Sequence, residues 1–201
     1  MNHLTRFNLI ASLLAIFSLI GCTQKNSEPA GTSPSPAASD PAAASGSVAG
    51  DPCNLLTDAE VHDVFNGATA GKRDRSVDKY AIFSCVWDTP NDRLTVQTFA
   101  AKPGAVADEL RSRVQGSIDP MLAGAADHIR YQSIAGIGDE AMMVVEKANP
   151  ELGILADMAL LATQRGDRVA ILFTGTSLVS GDRDSALKAL ETLGSGIAKR
   201  L

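Results

Sequence analysis

The residue pattern predicts an α+β domain, an antiparallel sheet of about five strands covered by helices. Three observations carry this expectation. Phe83, Cys85 and Trp87 alternate, a Thr89-Pro90-Asn91-Asp92 turn comes next, and Leu94–Phe99 returns, so the segment reads as a hairpin. A second hairpin centres on Gly166-Asp167, a pair suited to a tight turn, between two apolar runs. Helical spacing occurs before, between and after these strands. The order is helix, two strands, helix, three strands, helix.

The first helix opens at Thr57. Thr57 and Glu60 have capping-box spacing, and Leu56 and Val61 have the spacing of a hydrophobic staple. Asp58 in the first turn suits the helix dipole. Val61, Val64 and Phe65 share a face, and Gly67 is expected to end the helix. Lys72 to Lys79 is rich in charge and reads as a loop, with the first strand over Tyr80–Asp88. Pro103-Gly104 introduces a second helix, in which Val106, Leu110 and Val114 recur every four residues. Pro120 interrupts the next segment, and Ile118 to His128 has room for one short helix. Gly136-Ile137-Gly138-Asp139 forms a turn into a strand over Ala141–Glu146. The strands Met158–Gln164 and Arg168–Thr176 are nearly continuous in apolar residues, which places them centrally, with helices on at least one face. Leu187, Leu190, Ile197 and Leu201 mark a C-terminal amphipathic helix.

Two different materials precede this domain. Leu9–Ile20 is apolar but too short to span a bilayer, which needs ~20 residues. It has the length of a secretory h-region. It ends in Leu19-Ile20-Gly21-Cys22, which reads as a lipobox. Residues 1–21 are then a signal peptide, and Cys22 becomes a lipidated N-terminus. A diacylglycerol holds a protein far more stably than one acyl chain. The expected location is extracytoplasmic and membrane-anchored. In a two-membrane bacterium, Thr23 in place of aspartate favours the outer membrane; otherwise the site is the outer face of the cell membrane. Residues 23–50 are mostly Ala, Ser, Pro and Gly, and Val48 is the only apolar side chain larger than Ala. Such a segment cannot bury enough surface to offset its ordering entropy, so 22–50 reads as a disordered tether. Its span is about 30 Å. The globular domain occupies 51–201.

The whole chain carries a formal charge of −5. Loss of residues 1–21 removes one base, Arg6, and no acid, which leaves −6. With no basic cluster, nucleic acid is not an expected partner. Two cysteines remain after lipidation, Cys53 and Cys85, and an even count in an exported chain reads as a disulfide. A metal or redox pair is the alternative, but the two lie far apart with no histidine partner nearby.

The combination Asp51-Pro52-Cys53-x-Leu55-Leu56-Thr57-x-x-Glu60-Val61, Cys85-x-Trp87 and Gly136-x-Gly138-Asp139-Glu140-Ala141, with a Gly-centred hairpin, resembles a family of exported lipoproteins of unknown function. That family is abundant in mycobacteria and other actinobacteria. The resemblance covers most of 51–201. It implies a PsbP-like α/β/α sandwich and the Cys53–Cys85 bridge, and it implies no reaction.

The residues that could carry chemistry do not assemble into a catalytic set. His62 and His128 lack ligand spacing and read as surface residues, so neither metal nor cofactor is expected. Ser84 has no nucleophile elbow. Gly136-x-Gly138 lacks the third glycine of a phosphate loop and leads into a strand. Arg165-Gly166-Asp167 is a hairpin tip. Asp139 and Glu140 are adjacent acids that would face opposite ways on a strand, which favours a turn role. With Met142 they form the candidate binding surface. Met121, Met142, Met143 and Met158 read as core filler, with one of Met142 and Met143 facing outward. The expected function is a membrane-tethered cell-envelope lipoprotein acting as a non-enzymatic binding or accessory module. Its partner would be an envelope protein or a small apolar ligand. An inhibitor or immunity-type lipoprotein is the alternative, with Asp139-Glu140 or the 146–157 loop as the wedge. An enzyme ranks third.

Overall fold

A computed structural model describes residues 50–201. The expected signal peptide (1–21), the expected lipidation site Cys22 and all but the last residue of the expected tether (22–50) lie outside the described residues. Seven strands form one antiparallel sheet. They are β1 (Lys72–Asp74), β2 (Phe83–Asp88), β3 (Arg93–Ala100), β4 (Gln132–Ser133), β5 (Glu140–Glu146), β6 (Met158–Arg165) and β7 (Arg168–Thr174). Their spatial order is β1-β2-β3-β7-β6-β5-β4. Four α-helices accompany them: α1 (Asp58–Val64), α2 (Val106–Gln115), α3 (Thr176–Val179) and α4 (Arg183–Arg200). The α+β class therefore holds, but the sheet has seven strands where the pattern predicted about five.

The two additional strands are the edges. β1 is Lys72-Arg73-Asp74, part of the stretch expected to be a charged loop, and it pairs with Ser84–Val86. β4 is two residues long and pairs with Met142 and Met143. Neither shows apolar alternation: both are short, β1 is charged and β4 is polar, features that protect a sheet edge from further pairing. The central strands show the opposite character. Met158–Gln164 is buried throughout, and β7 has no exposed residue. Arg165 pairs with Arg168, so the β6–β7 loop is Gly166-Asp167, and Gly166 takes a left-handed φ of 60°.

Alternation sends the side chains of each central strand to two separate cores. Cys85, Val96, Leu172, Leu161 and Met143 meet α1 and α4. Ile171, Leu160 and Val144 meet Val106, Leu110 and Val114 of α2. The result is three layers, with helices on both faces of the sheet.

α1 begins as its capping box predicts. The Glu60 N–H donates to Thr57 Oγ1 at 3.2 Å, and the Thr57 N–H donates to Glu60 Oε2 at 2.8 Å. Leu56 and Val61 are both buried. The helix stops at Val64, before the expected Gly67, because Phe65 turns extended (φ −122°, ψ 92°) and buries its ring. α4 lies unusually close to β6. A Cβ on Gly194 would come within 2.6 Å of Leu161 Cδ1, so glycine permits the approach.

Two attachments hold the segment preceding α1 and the segment following it. Cys53 and Cys85 form a disulfide with a Cα–Cα distance of 5.0 Å. The fully buried Trp87 donates from Nε1 to Asp58 Oδ1 at 3.0 Å, and the Gly71 N–H donates to the same oxygen at 3.0 Å. Those two bonds, the backbone one foremost, hold the Asp58 carboxyl below its ordinary pKa. A Cβ on Gly71 would lie 2.7 Å from the Trp87 ring.

The segment between α2 and β4 contains one short 3-10 turn, Ala125–His128. Met121, expected as core filler, is 90% exposed. Met143 and Met158 are buried, and Met142 is half-buried against the α2 core. Because both faces of β5 are covered, neither Met142 nor Met143 is left fully to solvent. Among the described residues, no helix is long and apolar enough to cross a membrane.

Removing the Cys53–Cys85 bridge as a double Ser variant should lower unfolding stability by about 2–5 kcal/mol in urea melts. A loss below about 1 kcal/mol would show that packing and the Asp58 hydrogen bonds hold the first helix without the bridge.

Candidate functional site

The brevity of β4 creates the site. Pairing on the outer side of β5 ends at Met143. A cleft of about 420 Å³ opens beside Val145 and Glu146, within the size range of small-ligand sites. Val145, Ile154 and Val179 supply its apolar lining, with Leu152 at the mouth. His128, Arg130, Lys147 and Arg183 supply the basic groups.

One wall is the loop after β5, and backbone hydrogen bonds make it a defined structure. The Asn149 N–H donates to the Ile154 carbonyl at 2.8 Å, and the Ile154 N–H donates back at 3.0 Å. Between them Pro150–Leu152 forms a 3-10 turn. The Ala148 N–H donates to Asp157 Oδ1 at 2.8 Å. The loop is also tied to the 117–125 segment, through the Asp119 N–H to the Gly153 carbonyl and the Leu155 N–H to the Ser117 carbonyl.

The opposite wall is α3 and the start of α4, and Asp92 sets its position. The Asp92 Oδ2 atom accepts from Thr174 Oγ1 at 2.6 Å, from the Gly175 N–H at 2.8 Å and from the Ser177 N–H at 3.2 Å. Burial pushes the Asp92 pKa upward. The hydrogen bonds from Thr174, Arg93, Ser177 and Gly175 outweigh it and hold the carboxyl below its ordinary value. The turn between β2 and β3 thereby fixes α3, whose Val179 lines the cleft.

The charges in the cleft are unevenly committed. Glu146 is 7% exposed, and its carboxylate receives Arg130 Nε at 3.1 Å, Arg130 Nη2 at 3.2 Å and the Arg130 N–H at 3.1 Å. Hydrogen bonding and charge from Glu146 raise the Arg130 pKa further above its already high value. Arg183 donates from Nε to the Val145 carbonyl at 3.2 Å. Among the described residues, the two terminal nitrogens of Arg183 and the Lys147 ammonium have no hydrogen-bond or ion-pair partner. The lining thus holds Arg130, Lys147 and Arg183 against one carboxylate, in a chain of formal charge −5. No hydroxyl or thiol side chain lines it.

A second, more open depression of about 440 Å³ lies on the α2 face, beside Asp92, Arg113 and Phe173. Several of its charged groups are already engaged: Arg93 with Asp88 at 3.0 Å, Asp92 with α3, and Asp157 with Ala148.

The candidate surface proposed from the residues lies at the other end of β5. Asp139 accepts the Gly166 N–H at 2.7 Å and donates its own N–H to the Gln164 carbonyl, which locks this turn to the β6–β7 hairpin. Glu140 pairs in register with Gln164. Met142 is engaged with the α2 core. None of the three lines either cleft. The 146–157 loop, the other expected wedge, forms the cleft wall. His62 is exposed and bonded through Nε2 to the Ala68 carbonyl at 2.7 Å, while His128 is exposed on the cleft rim. Among the described residues no three His, Cys, Asp or Glu groups are placed to hold a metal ion.

Sequence reasoning missed Arg130 and Arg183, and it named Glu146 and Lys147 as candidates only as part of the 146–157 loop. Glu146 closes an apolar strand, and that one acid at a buried strand end was the only local sign. No family model, curated protein or solved structure matches the chain.

Two substitutions probe this geometry. Arg130→Met leaves Glu146 buried with one backbone donor and should cost about 1–3 kcal/mol in denaturant melts. Asp92→Ala should cost a similar amount at neutral pH. Because the folded state depresses the Asp92 pKa, its contribution is complete above the ordinary value of about 3.9 and is lost as pH falls through the lower folded-state value. The wild-type and Asp92→Ala melting temperatures should therefore converge below about pH 4; a constant gap down to the acid limit would refute the assignment.

Proposed function

We propose that this chain is an exported lipoprotein, held to a membrane by acyl chains on Cys22, whose domain acts by binding and not by catalysis. The observation that carries the binding reading is the composition of the cleft beside β5. It combines apolar and cationic lining residues. Its one carboxylate is committed to Arg130, and no hydroxyl or thiol stands in it as a nucleophile. The three-layer arrangement supports the PsbP-like reading, and with it the resemblance carried by Asp51-Pro52-Cys53, Cys85-x-Trp87 and Gly136-x-Gly138-Asp139-Glu140-Ala141. The bridge between Cys53 and Cys85 is in keeping with an oxidising compartment.

A second reading, an inhibitor-type lipoprotein with a protein partner, rests on a different surface. Of the five large hydrophobic residues exposed among those described, four are Met121, Leu122, Leu152 and Leu155. They lie on the two loops that are bonded together beside the cleft. Clustered exposed apolar groups mark interaction surfaces more often than scattered ones do.

Three measurements test these readings. Wild-type protein should partition into detergent and Cys22→Ser into the aqueous phase; aqueous partitioning of both would refute lipidation. Purified Cys22→Ser chain should carry co-purifying small molecules by mass spectrometry that are lost in Ala148→Trp, which fills the cleft. It should turn over no substrate in a hydrolase panel. Turnover abolished by a single Asp, Glu or His substitution would replace binding with catalysis.

A further inference from the structure

The charge distribution in the cleft specifies more than a generic binder. We propose that the cleft takes an anionic amphiphile, a carboxylate or phosphate monoester joined to a short aliphatic body; this rests on the binding reading above. The sign of the ligand is set by which charges are already satisfied. Glu146 and Arg130 neutralise one another through three hydrogen bonds, so neither is available to a newcomer without leaving the other unpaired. Lys147 and the terminal nitrogens of Arg183 are not engaged among the described residues. The cleft therefore offers a net positive charge, within an otherwise acidic chain. A cationic or neutral ligand leaves those donors idle.

The geometry at Arg183 favours an oxyanion in particular. Its Nε is held by the Val145 carbonyl at 3.2 Å. That bond anchors the guanidinium at Nε and leaves the outer pair of nitrogens as a fork. A fixed fork loses less entropy on binding and matches the two oxygens of a carboxylate or phosphate. Lys147, on the adjoining loop, supplies a mobile point charge to the same cleft. The body of the ligand would lie against the exposed Ala148 and Leu152, and the nearly fully buried Val145, Ile154 and Val179 also border the cleft. An inorganic anion would use only the fork, and a neutral lipid only the apolar lining. The volume of about 420 Å³ admits a small ligand and not a folded domain.

The test uses the exported full chain carrying Cys22→Ser, by calorimetric titration with four probes: octanoate, octyl phosphate, octanol and inorganic phosphate. Either anionic amphiphile should bind at least about tenfold more tightly than octanol or phosphate, the size of one charge-assisted hydrogen bond. The affinity should fall with added salt. It should drop about tenfold in Lys147→Gln, an exposed change with no packing consequence, and again in Arg183→Gln. Ala148→Trp should abolish it. Octanol binding as tightly as octanoate, with loss in Ala148→Trp, would overturn the charge assignment and leave the binding reading intact. Phosphate binding as tightly as octyl phosphate would overturn the amphiphile and leave a simple anion site. No binding by any probe would overturn the proposal, while the co-purification experiment above decides the binding reading separately.

Discussion

β6 and β7 are buried on both faces, and the rest of the domain answers to that constraint. A sheet covered on one side can place polar residues on the other. These strands carry Leu160, Leu161, Ile171 and Leu172 in succession, so adjacent residues enter opposite cores. Helices must cover each face. α2 covers one with Val106, Leu110 and Val114, and α4 covers the other with Leu190, Leu193 and Ile197. The close approach on the second face depends on the absence of a side chain at Gly194 against Leu161. On the first face a buried polar residue does the positioning. Gln164 donates to the Lys102 and Gly166 carbonyls and accepts from the Ala105 N–H, which ties the entry to α2 to the β6–β7 hairpin.

The first twenty or so residues of the domain bury Leu55, Leu56, Val61 and Phe65 in the core on the α4 face and are also attached by specific bonds. The disulfide joins Cys53 to β2, and Asp58 joins α1 to Trp87 and Gly71. Arg200 reaches from the end of α4 to Glu60 at 3.0 Å and to the Leu55 carbonyl at 3.0 Å. Burial raises the Glu60 pKa, but the Thr57 and Arg200 hydrogen bonds overcome it and favour the ionised form. This segment follows the stretch proposed to be a tether. In the lipoprotein reading, any pull through the tether reaches Cys53 first and passes through the bridge into the sheet, rather than peeling α1 from its seat.

The cleft is a consequence of how the sheet ends. A longer β4 would pair Val145 and Glu146 and close the space that Arg183 and the 147–154 loop now border. Arg183 covers one of the backbone groups that the short edge leaves unpaired, the Val145 carbonyl. With Arg130 balanced by Glu146, Arg183 and Lys147 make the region basic. Arg183 thus serves the sheet edge and also carries the terminal nitrogens that the proposed anion site uses.

Features that depend on neighbours a few positions apart were legible in the residues. The capping box at Thr57 and Glu60, the apolar face of α2, the Gly166-Asp167 hairpin and the central place of the strands around it all come from local spacing. β1 and β4 were not legible, because a polar edge strand has no period to read and exists only where a partner presents free backbone groups. Met121 was misplaced for a related reason: an isolated apolar residue in an irregular segment carries no information about which way its loop is tied. The candidate site at Asp139, Glu140 and Met142 was chosen for adjacent acids beside a turn, and the fold uses Asp139 to lock that turn. The cleft at the other end of β5 joins Arg130, Glu146, Lys147 and Arg183, drawn from three separate stretches of chain. Their pairing, and the charges it leaves over, arise from strand register and from the close approach of α4, so the sequence determined the elements and only the tertiary structure decided where they leave room for a ligand.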